Sequence, residues 1–469
     1  MELVYNVFPK SSMNIKLKLA VVAILFFILP LTSRPAQAAS DPRNQVNNKV
    51  GIGLLSPESD IVEAAQMVNN NGDWGWVVIV IKRDERNQER WQGVFTLLNK
   101  NHLIPIVRIA TEPGPQGFWQ RPSAGDAGDW ADFLSKLYWP TRNRYVQIYN
   151  EVNRADEWGG EADPNGYAKE LEKTAGLLKA KSDDFFILNS ALDLAASGTN
   201  STIDAQEYLG QMNNAVPEIF AKIDGWASHS YPNPNFSANP LVAGRLGIGG
   251  YVWELAQIKR LGAGNLPVFI TETGWRHGVG GLDENTIAQY YKLAFEKVWN
   301  DKNVVAVCPF VFNYPEDLFR QFSFKADDKI LGRKYYNYYG TIRDLGKERG
   351  DPIREDKGDL VVNIPPLIIK GFGEKAAIDV RNNGNYIWNL KNGFKMEPIL
   401  GDLKIENVVW EKEEVNPGEG VKASFVLAGD TVGESDIKIR ILNNGKLLAE
   451  RGMRIKNEGL LEWFFEFLK

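Results

Sequence analysis

The stretch "RYVQIYNEVNRADEW", residues 144–158, carries the reading of the fold. Its first half is rich in aromatic and β-branched side chains and reads as a buried strand. It stops at Asn150-Glu151 and runs into a polar loop containing Trp158. A buried strand that ends on a carboxylate needs a reason, and the reason depends on how the other strands end.

Outward from this stretch, apolar runs alternate with helical patterns from residue 49 to 349. Strands are expected in "KVGIGLL" (49–55), "WVVIVIKR" (76–83), "LIPIVRIA" (103–110) and "RYVQIYNE" (144–151). Four more are expected in "FFILNSAL" (185–192), "GWASHSY" (225–231), "LPVFITE" (266–272) and "VVAVCPFVF" (304–312). Several are nearly continuous in hydrophobic residues, as strands covered on both faces are. Amphipathic stretches such as "GYAKELEKTAGLLKAK" and "ENTIAQYYKLAFEKVWN" separate them, and "YYNYYGTIRDLGKER" closes the series. Eight β–α repeats over about 300 residues match an α/β chain folded as a (β/α)₈ TIM barrel. A doubly wound open sheet is the alternative. No G-x-G-x-x-G follows the first strand, which weakens a nucleotide-binding version of it.

The barrel is assigned to residues 40–350, and the flanks read differently. Lys10, Lys16 and Lys18 precede the apolar run "LAVVAILFFILPL" (Leu19–Leu31), and "AQA" (Ala36–Ala38) supplies small residues for cleavage. That run is well short of the ~20 residues a membrane span needs, so 1–39 reads as a signal peptide and the chain as secreted or cell-surface. "DPIREDKGD" (351–359) is a polar linker. Residues 360–456 hold short alternating runs, with hairpin signals in the Asn-Asn-Gly triplets at 382–384 and 443–445. They read as a smaller all-β immunoglobulin-like sandwich. The tail 457–469, with "LLEWFFEFLK", is apolar enough to dock on its own domain or to associate with a partner, cell surface or membrane.

A net charge of -5 and no Lys/Arg cluster argue against nucleic acid. The single cysteine, Cys308, cannot form an internal disulfide and reads as a buried small hydrophobe. The three histidines, His102, His229 and His277, are scattered, so neither a metal cluster nor a cofactor is expected. The 14 tryptophans serve core packing or sugar stacking. A monomer is expected.

In a (β/α)₈ barrel the strand C-termini converge on one face, where chemistry sits. The fourth strand ends at Glu151 and the seventh, in "ITETGW", at Glu272, so both carboxylates should enter one cleft. A lone Glu at a strand end is more often a salt-bridged rim residue; a pair on one face is a stronger signal. Residues 49–349 resemble the glycoside hydrolase clan of (β/α)₈ barrels with an acid/base glutamate after strand four and a nucleophilic glutamate after strand seven. The matching residues are Asn150-Glu151 in "IYNEVN" and Glu272 in "FITETGW", with His229 and Tyr231 in "SHSYPNP" fitting strand six. The clan's usual strand-eight tryptophan is not evident in "FVFNYPED", where Phe312 or Tyr314 could substitute.

The resemblance implies a retaining glycoside hydrolase acting on a poly- or oligosaccharide, with Glu272 as nucleophile and Glu151 as acid/base. It implies further that Asn150 contacts the substrate and that Tyr231 orients Glu272. Arg108 at the end of strand three, or Arg83 at the end of strand two, is expected to keep Glu272 ionised. Trp158 and Trp275 are candidate stacking faces, and the long loops 111–130 and 232–250 should shape the cleft. The alternative is a non-catalytic carbohydrate-binding or cell-surface protein on the same barrel. A metal-dependent or Schiff-base barrel enzyme has less support.

Overall fold

The computed structural model describes residues 39–326 and 332–467. The signal peptide expected over 1–39 lies, but for Ala39, outside these residues. Eight parallel strands form on the expected runs, the second beginning one residue earlier, at Gly75. They are β1 (Gly51–Leu54), β2 (Gly75–Lys82), β3 (Leu103–Ala110), β4 (Arg144–Ile148), β5 (Phe185–Leu188), β6 (Trp226–Ser228), β7 (Val268–Ile270) and β8 (Val304–Val307). β1 to β5 form one sheet in chain order and β6 to β8 a second. Single parallel bridges, Leu188–Gly225 and Val50–Val307, bond each end strand of one sheet to an end strand of the other.

A helix follows each strand: α1 (Pro57–Val68), α2 (Gln88–Lys100), α3 (Asp126–Ser135), α4 (Pro164–Lys181), α5 (Ala205–Ala215), α6 (Gly250–Arg260), α7 (Glu284–Lys297) and α8 (Asn337–Arg343). Side-chain alternation explains why the strands look uniformly apolar. In β2, Trp76 and Val78 join one buried cluster with Ile106, Tyr145, Phe186 and Phe269, while Val77 and Ile79 join the cluster that the helices cover. Trp76 meets Tyr145 and Phe269 edge-on, with ring centroids 5.0 and 5.6 Å away. Cys308 lies in this inner cluster, and burial pushes its thiol up. A side chain at Gly51 would sit 2.5 Å from the Cys308 sulfur, so the interior requires glycine there.

Two expected strand ends need correction. β4 stops at Ile148 and β7 at Ile270, so neither glutamate lies within its strand. Past β4 the backbone enters the left-handed region at Tyr149 (φ 65°) and Glu151 (φ 31°), which no ladder accommodates. Past β7 the chain stays pinned: Thr271 donates to the Ser228 carbonyl at 3.1 Å, and Phe310 donates to that of Thr273 at 2.8 Å.

The C-terminal region is all-β, with two four-stranded sheets, β10-β18-β17-β13 and β14-β16-β11-β9, over one core. These strands are β9 (Gly358–Asn363), β10 (Leu367–Ile369), β11 (Glu374–Asn382), β13 (Phe394–Ile399), β14 (Leu403–Trp410), β16 (Gly420–Gly429), β17 (Gly433–Asn443) and β18 (Lys446–Glu458). A short pair, β12 (Trp388–Asn389) with β15 (Glu414–Val415), completes it. Alternation in β16 buries Val421, Ala423, Phe425 and Leu427.

The two Asn-Asn-Gly signals part company. At 443–445, Asn444 and Gly445 both take positive φ and close the β17–β18 hairpin. At 382–384 no hairpin forms, since β11 pairs with β9 and β16. That triplet is instead held against the linker: Asn383 donates to the Lys357 carbonyl at 3.0 Å, and a side chain at Gly384 would sit 2.3 Å from the Glu355 carbonyl. The linker is itself fixed, with Arg354 between the rings of Trp74 and Tyr386. The tail forms a short helix, α9 (Leu460–Phe467). Leu460, Leu461, Phe464 and Phe465 stand exposed, so these side chains do not dock on the domain.

Candidate active site

Four strand ends deliver the site. β3 carries Arg108, the turn after β4 carries Asn150 and Glu151, and His229 and Tyr231 follow β6. Glu272 follows β7. The turn after β4 is fixed on both sides, because Glu151 N–H donates to the Ala191 carbonyl and Arg154 N–H to that of Glu151, each at 2.9 Å. Next to His229 lies a buried polar layer in which the Ser228 hydroxyl bonds Glu254 and lies 2.7 Å from that of Ser230.

One carboxylate oxygen from each of Glu151 and Glu272 and a ring nitrogen of His229 lie within 4.8 Å of one another. Nδ1 of His229 is 2.9 Å from Oε1 of Glu151 and 3.7 Å from Oε2 of Glu272. Tyr231 donates its hydroxyl to the same Oε2 at 3.1 Å. Nη1 of Arg108 donates to Oε1 of Glu272 and, at 2.6 Å, to Oδ1 of Asn150. Arg83 points elsewhere, pairing with Glu112 and Asp126, so of the two arginines considered only Arg108 reaches Glu272.

The charge states follow from these neighbours. Burial opposes ionisation of Glu272, but His229, Arg108 and the Tyr231 hydroxyl together hold its carboxyl below the usual range. Burial pulls His229 down, and the facing carboxylates of Glu272 and Glu151 outweigh it, so the imidazole is held toward its protonated form. The Tyr231 phenol is pushed well up by burial and by both glutamates, which keeps its proton available for donation. Among the described residues, Glu151, His229 and Glu272 are also the one cluster whose donor atoms could hold a metal ion. Two features oppose that: the Arg108 guanidinium occupies one Glu272 oxygen, and a metal requires the neutral imidazole.

The cluster opens into a cavity of about 550 Å³ lined by Arg108, Asn150, Glu151, His229, Tyr231 and Glu272. Trp158 and Trp275 do not line it. Trp275 is 2% exposed, bonded through its indole N–H to the Ala238 carbonyl and packed edge-on against Tyr291. Trp158 is 3% exposed, between the rings of Tyr149 and Tyr167. Both point into the packing behind their loops and offer no stacking face. The aromatic wall consists of Trp119, Phe236, Phe310, Tyr314, Phe319 and Phe322. Of the two expected strand-eight substitutes, Tyr314 lines the cavity. Phe312 is fully buried under Tyr335 and Tyr339.

Sequence reasoning missed four charged lining residues. Arg154 pairs with Asp156 at 2.8 Å and Asp193 at 3.3 Å, and its Nε lies 3.8 Å from Oε2 of Glu151. Glu157 is pushed up to about 7 by burial and the charge of Glu151, against Arg108 and a hydrogen bond from Asn150. Asp193 and Arg276 complete the set. Arg154 and Glu157 lie within the opening stretch, where loop spacing gave no sign of which side chains turn inward.

No family model matches the sequence, and no curated protein is similar to it in sequence. Solved structures similar to this chain include a family 39 glycoside hydrolase from Bacteroides cellulosilyticus WH2, at 11% identity over 82% of each chain with a TM-score of 0.45. A monomeric beta-xylosidase from Caulobacter crescentus CB15 is 13% identical over 84% of this chain and 98% of that one, with a TM-score of 0.46. A family 51 alpha-L-arabinofuranosidase from Bifidobacterium longum is 9% identical over 83% of this chain and 97% of that one, with a TM-score of 0.42. These three are glycosidases by their descriptions.

Proposed function

We propose that the chain is a secreted, monomeric retaining glycoside hydrolase of a poly- or oligosaccharide, with Glu272 as nucleophile and Glu151 as acid/base. The eight parallel strands, bonded at both seams between their two sheets, support a closed (β/α)₈ barrel as its frame. The two sheets over one core, antiparallel but for the β10–β18 pair, support an immunoglobulin-like sandwich. The apolar leader supports export, and the exposed face of α9 supports a cell-surface contact.

One observation carries the reading: two carboxylates with oxygens inside a 4.8 Å cluster open into one cavity. Retaining enzymes hold their carboxyls about 5–5.5 Å apart, while inverting enzymes leave about 6.5–9.5 Å for a water between them. Glu272, kept ionised, attacks the anomeric carbon as Glu151 delivers its proton to the departing glycosidic oxygen. Oε1 of Glu151 is engaged by His229. The glycosyl ester on Glu272 is then cleaved by a water whose proton returns to Glu151. Asn150, fixed by Arg108, is placed to bond the hydroxyl beside the anomeric centre.

The test is Glu272→Ala on the full chain with a glycan panel. Hydrolysis is expected to fall by roughly 10⁴–10⁶-fold, with azide restoring turnover and yielding a glycosyl azide. Unchanged hydrolysis would remove the assignment. Wild-type binding without hydrolysis across the panel would return the chain to the carbohydrate-binding alternative.

A further inference from the structure

Three arginines line the cavity, and two of them are neutralised within it. Arg108 is bonded to Glu272, and Arg154 to Asp156 and Asp193. Arg276 pairs with no carboxylate among the described residues. It follows Glu272 in the loop after β7, whereas the Arg154–Asp193 pair comes from the loops after β4 and β5. Its backbone is pinned, since Arg276 N–H donates to the Phe236 carbonyl at 3.1 Å and the next residue's to that of Gln321 at 2.9 Å. The residue is half-buried and lines the cavity together with Phe236 and Phe322.

Its hydrogen bonding is incomplete. Among the described residues Nη2 reaches only the Val279 carbonyl, at 3.2 Å, and Nε is enclosed with no acceptor. An exposed arginine loses nothing by standing alone, because water satisfies its donors. A half-buried guanidinium with an enclosed, unmet N–H carries an uncompensated desolvation cost. An incoming anion would meet the outer Nη donors, and the planar guanidinium matches a carboxylate or an ester sulfate best.

We propose that Arg276 makes this cleft selective for an acidic glycan, binding the carboxylate of a uronic acid or a sulfate ester on a residue beside the cleaved bond. The assignment rests on the glycosidase reading only for the identity of the ligand as a glycan. Charge is read by Arg276 from the loop after β7, and bond cleavage is carried out by Glu151 and Glu272.

The experiment uses the full chain with Glu151→Gln, which blocks turnover and leaves Glu272 paired with Arg108. Calorimetric binding is measured to oligosaccharides of polygalacturonate, alginate, glucuronoxylan and hyaluronan, each against its carboxyl-reduced form, and to a sulfated galactan against its desulfated form. At least one acidic member should bind about 10- to 100-fold tighter than its neutral counterpart at low salt. Adding Arg276→Gln should erase that ratio, and Arg276→Lys should restore part of it. The carboxylate and sulfate arms identify which anion is read. Equal affinity within every pair, or no binding to any acidic member, overturns the assignment, as does a ratio that survives Arg276→Gln. Wild-type kinetics separate the two readings. Binding that depends on Arg276 without wild-type hydrolysis would remove the glycosidase and keep the anion site; hydrolysis of neutral glycans alone would do the reverse.

Discussion

The turns after β4 and β7 each present a glutamate just beyond an apolar strand, and the molecule treats the two differently. Glu272 is 8% exposed, with Arg108 on one oxygen and Tyr231 on the other, and His229 close by. Glu151 rides on a turn with two non-glycine residues at positive φ, and among the described residues only His229 stands at hydrogen-bonding distance from its carboxylate. Strained backbone of this kind costs of order 1–3 kcal/mol per residue and persists where surrounding bonds over-determine it. Here the bonds from Glu151 to Ala191 and from Arg154 back to Glu151 supply that constraint. The lesson is a division of labour: a strand end places a carboxylate in the cleft, and side chains from β3 and the end of β6 set its charge.

The sharpest way to test that division is to empty the other turn. Glu151→Ala should lower kcat/KM on unactivated glycosides by about 10²–10⁴-fold, the range for loss of general acid–base help. Aryl glycosides, whose leaving groups need no proton, should be largely spared. Azide rescue should give a glycosyl azide of retained configuration here and of inverted configuration for Glu272→Ala, read by proton NMR of the anomeric centre. The same configuration from both variants would mean that the two turns do not differ in role.

Next in size is the partner that sets the charge of Glu272. A carboxyl held below its usual range stabilises the fold above its unfolded-state pKa, and that stability is lost as pH falls through the lower folded value. Arg108→Gln removes one of the two cations holding it there. The acidic limb of kcat/KM should then move to higher pH, and unfolding at neutral pH should become easier by about 3–5 kcal/mol, because a buried charge loses its partner. Arg83→Gln, which breaks the pairs with Glu112 and Asp126 instead, should leave the limb in place. An unmoved limb in Arg108→Gln would show that the guanidinium does not set the charge of Glu272.

The contrast also explains what could be read in the residues beforehand. Every strand of the N-terminal region was legible, because runs such as "WVVIVIKR" are apolar on both faces and bounded by polar helix starts. The glutamate pair was legible because both members follow such runs. Their exact backbone was not, since the positive φ at Tyr149 and Glu151 depends on hydrogen bonds from the neighbouring loop after β5. The aromatic wall was misread for a related reason. Trp158 and Trp275 flank the two glutamate-bearing turns in sequence, but their indoles face inward, and the wall comes from Phe236, Phe310 and Phe322 in loops remote in sequence. As strand-end arginines Arg108 and Arg83 are equivalent in the sequence; the pairs of Arg83 with Glu112 and Asp126 separate them in the fold. Asn-Asn-Gly at 382–384 matched 443–445 in chemistry, but it faces a linker rather than a partner strand.

The smallest expected effect isolates orientation from charge. Tyr231→Phe removes one hydroxyl donor from Oε2 of Glu272 while Arg108 keeps Oε1 and His229 keeps its place. A single hydrogen bond to a carboxylate is worth about 1.5 kcal/mol at the low end of its range, so kcat/KM should fall by about 10-fold. The acidic limb should shift slightly upward, in the direction expected for Arg108→Gln, because the lost donor also favoured the ionised form. A loss beyond about 10³-fold would exceed what positioning one oxygen can supply. Tyr231 would then have to act on the sugar itself, and β6 would contribute to the chemistry rather than to the setting of Glu272.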